Sequence, residues 1–89
     1  MSAPAAPLPL SEGERETLER LARAQSAPHR QVMQARVLLL AADGVANNVI
    51  ADEVGVTPVT VRAWRKLFGE DGYKMIADLH RAAGYDLEP

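Results

Sequence analysis

Cysteine is absent from this 89-residue sequence, which removes disulfides, thiolate catalysis and cysteine-based zinc sites together. Aromatic residues are scarce at 4%, while apolar residues reach 47% and are mostly Ala, Leu and Val. That balance favours packed helices over a β-sandwich, whose strands draw on aromatic and β-branched side chains. Long apolar runs are missing too. The longest, "VLLLAA" from Val37 to Ala42, falls far short of the roughly 18 residues that span a bilayer, so a soluble protein is expected. The opening "MSAPAAPLPL" has no basic start, and Pro4, Pro7 and Pro9 interrupt its apolar residues, so it reads as a disordered, polyproline-like arm over residues 1–10. His29 and His80 stand alone without metal-ligand spacing, and no G-x-S-x-G, H-E-x-x-H or phosphate-cradling glycine loop occurs. No metal, cofactor or small-molecule substrate is therefore expected, and no enzymatic activity. Excess positive charge is lacking as well: 10 Lys and Arg face 12 Asp and Glu, for a net charge of −2. Attraction to a polyanion would have to be local, not a property of the whole chain.

What is present is helical punctuation within one small domain. Ser11 and Glu14 form an S-x-x-E capping box ahead of a first helix, about 12–24, with Leu18, Leu21 and Ala22 as its apolar stripe. Ser26 and Pro28 restart the chain into a second helix, about 27–43, with Gly44 suited to end it. Apolar residues lie around much of this second helix: Met33, Val37, Leu40 and Ala41 on one face, and Val32, Ala35, Leu38 and Leu39 beside them. A helix apolar on two sides belongs at the centre of a bundle. A third helix, about 48–54, is expected to start from an Asn47 cap and stop at Gly55. Thr57 caps a fourth, about 58–68, with Pro58 in its first turn. The stretch "GEDG", Gly69 to Gly72, reads as a helix stop and turn. Residues 70–89 form an acidic C-terminal segment in which 73–83 reads as a short further helix. The predicted fold is all-α, a small bundle of four to five helices.

The stretch "NNVIADEVGVTPVTVRAWRK", Asn47 to Lys66, carries the register of a helix-turn-helix of homeodomain-like type. Counting Asn47 as the first position, Ile50 and Ala51 come fourth and fifth, Gly55 ninth, Val61 fifteenth and Trp64 eighteenth. The two helices must cross closely, which asks for a small residue at Ala51 and apolar residues where the second helix packs back. Gly55 suits the turn because a positive φ is costly for a residue with a Cβ.

If the second helix of this pair enters a DNA major groove, the outward positions are Thr57, Pro58, Val59, Arg62, Ala63 and Lys66, with Thr60 and Arg65 at the flanks and Asn47 ahead of the turn. Thr57, Thr60 and the free amides of the helix start can hold a phosphate. Arg62 suits a bidentate contact to guanine, and Val59 and Ala63 suit contact with a thymine methyl. Arg65 and Lys66 read as phosphate contacts, with Arg30 and Arg36 on the preceding helix as reinforcement. The cations are thus local to one helix, and the excess acid lies mostly from Glu70 onward. One copy with about three or four phosphate contacts would bind weakly, so a homodimer or a larger protein context would be needed for tight binding.

The run "RQVMQARVLLLAADGVANNVIADEVGVTPVTVRAWRKLFGEDG", Arg30 to Gly72, resembles the N-terminal DNA-binding region of mariner-like bacterial insertion-sequence transposases. Its most specific parts are "ARVLLLAADG", "IADEVGV" and "TVRAWRKLF" followed by "GEDG". The resemblance implies a homeodomain-like helix-turn-helix that binds the terminal repeats of a mobile element, with Thr57, Thr60, Arg62, Arg65 and Lys66 toward DNA. It implies a cytoplasmic, nucleoid-associated location. Nothing in the run matches such enzymes' metal-binding carboxylate domain, so no cleavage chemistry is carried over. The expected function is sequence-specific double-stranded DNA binding, as a transposase end-binding domain or a small transcriptional regulator. The rival expectation is a protein-interaction adaptor that keeps the fold and docks a partner through its acidic tail from Glu70.

Overall fold

The computed structural model describes residues 7–24 and 29–82, and the side chains of Tyr73, of residues 75–80 and of Ala82 are left out of the description. Four helices follow in order: α1 (Glu12–Ala22), α2 (His29–Ala42), α3 (Asn47–Val54) and α4 (Pro58–Ala82). No strand occurs among the described residues, in agreement with the predicted all-α bundle. Helix α2 packs against each of the other three, as its two-sided apolar surface requires. Ala35, Val37, Leu38 and Ala41 of α2 are fully buried, with Met33, Leu39 and Leu40 half-buried around them. Leu18 and Leu21 of α1, Ile50 of α3 and Val61 of α4 close on this centre. Each such aliphatic side chain contributes about 1.5–3 kcal/mol by leaving water.

The capping box forms as expected. The Ser11 hydroxyl accepts from the Glu14 amide at 3.1 Å, and the Glu14 carboxylate accepts from the Ser11 amide at 2.9 Å. Helix α1 ends at Ala22 and not Ala24, because the Arg23 and Ala24 amides bond to Arg20 and Leu21 carbonyls in a closing turn. Arg15 then reaches Asp43 at 3.2 Å and ties α1 to the end of α2. That end is a Schellman motif, in which the Val45 amide bonds to the Leu40 carbonyl and the Gly44 amide to Ala41, both at 3.1 Å. The predicted start of α2 at Ser26 to Pro28 lies outside the described residues.

One expectation about the N-terminal arm is corrected. The arm over residues 1–10 is not free throughout: the Leu8 amide donates to the Ala41 carbonyl at 3.0 Å, and the Leu8 side chain is 9% exposed in the core. Leu10 packs beside it. Proline density suggested an unstructured tail, but Leu8 and Leu10 find apolar surface that α1 and α2 leave open. Leu8→Ala is expected to cost about 2 kcal/mol, the lower end for a buried leucine. Urea unfolding measures it, and an unchanged midpoint would show that the strap contributes nothing.

The predicted stop and turn at "GEDG", Gly69 to Gly72, coincides with a break in the helix. The break falls at Asp71, whose φ of −155° and ψ of 74° are not helical, and a second helical limb follows to Ala82, so α4 is two helices joined at a kink. The Asp71 carboxylate accepts from the Lys74 amide at 3.1 Å and so caps the limb that follows. A Cβ at Gly72 would lie 3.1–3.2 Å from ring atoms of Phe68, which is buried. Gly72 therefore admits the Phe68 ring beside the kink. The separate helix predicted over 73–83 is the second limb of α4.

Candidate nucleic-acid interface

The third helix begins one residue earlier than expected. The Val49 and Ile50 amides both bond to the Ala46 carbonyl at 3.0 Å, which makes Ala46 the N-cap, with no side-chain bond. Asn47 is the first helical residue and half-buried, and its Oδ1 is buried without a partner. The expectation that Asn47 caps α3 is thereby corrected, and its carbonyl oxygen does not lie at the surface where a DNA contact would need it.

The turn is as the register demands. Gly55 has φ of 87° and ψ of 34°, and its amide and that of Val56 bond to the Ala51 carbonyl at 2.9 and 3.0 Å. Ala51 is 3% exposed at the crossing of α3 and α4, which admits no larger side chain without displacement. A Cβ at Gly55 would meet nothing within 4 Å, so Gly55→Ala tests backbone strain alone. The substitution is expected to cost about 1–2 kcal/mol of folding stability, the penalty of the left-handed region for an L-residue. A loss below half of that in equilibrium unfolding would contradict the role given to this turn.

Thr57 caps α4: its hydroxyl accepts from the Thr60 amide at 3.2 Å and lies 3.0 Å from the Thr60 hydroxyl. The hydroxyl pair therefore stands fixed at the helix start, where the Val59 amide and the dipole favour an anion, since Pro58 has no N–H and the Thr60 and Val61 amides bond to Thr57. Val61, Trp64 and Phe68 turn inward, at 0%, 8% and 6% exposure. The opposite face carries the remaining candidates. Thr57, Pro58, Val59, Arg62, Ala63 and Lys66 are exposed, and Thr60 and Arg65 are half-buried at its flanks. Neither Arg62 nor Lys66 forms an ion pair or hydrogen bond with another described residue. Arg30 and Arg36 are exposed on α2. Sequence reasoning assigned no role to Leu67, which is 49% exposed, although its four-residue spacing from Ala63 and Val59 was readable.

Helix α3 shows the opposite charge. Its exposed residues Asn48, Val49, Asp52 and Glu53 line an open groove with Gly55, Val56 and Pro58 beside the turn. Acid thus borders the start of α4, and the exposed cations Arg62 and Lys66 lie on its following turns.

A family model described as a winged helix-turn-helix matches residues 34–87, more than half of the chain. The chain belongs to the winged helix-turn-helix family. No curated protein and no solved structure matches it. The matched region holds the crossing of α3 and α4 just described, so this winged helix-turn-helix protein carries a domain of the kind that binds double-stranded DNA. The family description names a wing, yet through Ala82 the segment after the kink at Asp71 is helix and not a strand hairpin. Among the described residues, no helix is long and apolar enough to cross a membrane, and no group of His, Cys, Asp or Glu could hold a metal ion.

Proposed function

We propose that this protein binds specific double-stranded DNA sequences by laying the first limb of α4 in the major groove, as the end-binding domain of a transposase or as a small transcriptional regulator. The observation that carries this reading is the division of α4. Val61, Trp64 and Phe68 hold it to the bundle, and an outward face from Thr57 to Lys66 stays open with Arg62 and Lys66 uncommitted. Thr57, Thr60 and the Val59 amide contact a phosphate, Arg62 reads a base edge, and Arg65 and Lys66 contact the backbone. Arg30 and Arg36 extend the phosphate contacts from α2. The transposase role is supported by the sequence resemblance from Arg30 to Gly72, and the regulator role by the helix-turn-helix domain itself.

Selection from a random duplex library, followed by titration at two salt concentrations, tests the reading. Enrichment of a defined motif is expected, with log affinity falling against log salt by about 0.9 per phosphate neutralised. Absence of binding at low salt would overturn it. Selected motifs that match paired terminal repeats favour the end-binding role, whereas single operator-like sites favour the regulator.

Asp52 and Glu53 oppose this binding from beside the turn. Converting both to Asn and Gln is expected to raise affinity about two- to fivefold at low salt, with the gain fading as the screening length shortens. An unchanged affinity at low salt would place the acidic side of α3 away from the phosphates.

A further inference from the structure

We propose that the outward line Val59, Ala63 and Leu67 reads the C5-methyl groups of pyrimidines, thymine or 5-methylcytosine, at positions about two base-pair steps apart. The inference rests on the DNA-binding reading above and names what the apolar part of that surface recognises.

The large apolar side chains exposed among the described residues are Val49, Val59 and Leu67, at 43%, 65% and 49%. Val59 and Leu67 belong to α4, with exposed Ala63 midway between them. Residues four apart stack along one side of a helix, so these side chains form a continuous apolar line. No described residue covers Val59, the most exposed of them, and helix propensity favours Lys, Glu or Gln over valine at a purely solvated position. Arg62 and Lys66 stand between and beside these residues, so whatever covers the line is bordered by cations. A nucleic acid satisfies both demands at once, with phosphates for the cations and an apolar group for the line.

The methyl group at C5 of a pyrimidine is the apolar group on the base edges of a major groove. Valine and alanine neither donate nor accept hydrogen bonds from their side chains, so amide, amino and carbonyl edges give them nothing to recognise. Four residues of helix rise by about 6 Å. Successive base pairs rise by about 3.4 Å, so adjacent members of the line meet bases about two steps apart where the helix follows the groove. A cytosine methylated at C5 presents the same methyl at the same ring position, so methylation of a cytosine at a read position would create a contact and strengthen binding.

The test uses the full chain and the duplex enriched by selection. Each thymine is replaced in turn by deoxyuridine, which removes the methyl and leaves base pairing intact. An affinity loss of about fourfold, the worth of one buried methyl-sized group, is expected at the positions met by Val59 and Leu67, about three to four steps apart. At those positions a 5-methylcytosine pair should bind more tightly than a cytosine pair. Val59→Ala should erase the deoxyuridine penalty at one position without changing the salt slope. Tight binding of the selected duplex with no deoxyuridine penalty anywhere, or a penalty that survives both Val59→Ala and Leu67→Ala, would overturn the methyl reading and leave DNA binding standing. Failure to bind any duplex would instead overturn the DNA reading itself. A Val59→Ala variant that shifts the sedimentation of the free protein, with no deoxyuridine penalty, would assign the line to a second copy of the chain and overturn the inference.

Discussion

Trp64→Ala is expected to lower folding stability by about 3–5 kcal/mol, the range for removing a buried aromatic side chain. Trp64 is 8% exposed and lies between Val61 and Phe68 on the inward side of α4. That side is where α4 meets α1, α2 and α3. The cavity left behind would border several helices and could not collapse from one side alone. A domain of 89 residues has a total stability of only about 4–13 kcal/mol, so the loss would unfold a large fraction of the molecules. Urea or thermal unfolding measures the change. Trp64→Phe, which keeps most of the packed volume, should lose considerably less. A Trp64→Ala protein within about 1 kcal/mol of the parent would show that this residue does not hold α4 in place.

Arg62→Ala combined with Lys66→Ala should do the reverse, leaving stability nearly unchanged and removing most specific DNA affinity. Both side chains are exposed and make no bond to another described residue, so folding should shift by no more than about 0.5 kcal/mol. A bidentate arginine contact contributes about 1–3 kcal/mol of base discrimination, so Arg62→Ala alone should relax the selected motif at one position. Loss of the Lys66 phosphate contact should weaken binding to all sequences alike and flatten the salt slope by about one. The double variant is therefore expected to bind its best site at least about 100-fold more weakly. Arg62→Lys keeps the charge but loses the planar fork, so it should recover the nonspecific affinity and not the base preference. Unchanged affinity in the double variant, with the fold intact, would remove α4 as the DNA-contacting element. The tryptophan and cation variants together separate shape from chemistry: the first loses binding through the fold, the second without disturbing it.

The turn from α3 to α4 was legible because each requirement there is local. A left-handed residue needs glycine, a cap needs a hydroxyl, and a close helix crossing needs alanine; Gly55, Thr57 and Ala51 supply them within a few positions. Asn47 misled because asparagine is a strong capping residue wherever it stands. The bonds from Val49 and Ile50 to Ala46 moved the cap back by one and buried part of the asparagine. Leu67 escaped notice because exposure depends on which neighbours arrive, and a leucine in a helix is more often buried.

The amino-acid sequence by itself determined the helix-turn-helix register, the central position of α2 and the outward placement of Arg62 and Lys66. Those follow from helical periodicity and from residues whose backbone preferences act over a few positions. Only the tertiary structure decided that Leu8 straps the core, that the break predicted at Gly69 to Gly72 sits at Asp71 with Gly72 against Phe68, and that Val59 and Leu67 are left uncovered beside the cations. Each of these depends on surface contributed from other parts of the fold: the gap that receives Leu8, the Phe68 ring that lies against Gly72, and the absence of any described helix over the outer side of α4. Local patterning can announce a turn or a cap, but whether an apolar side chain finds a partner is settled where separate helices meet.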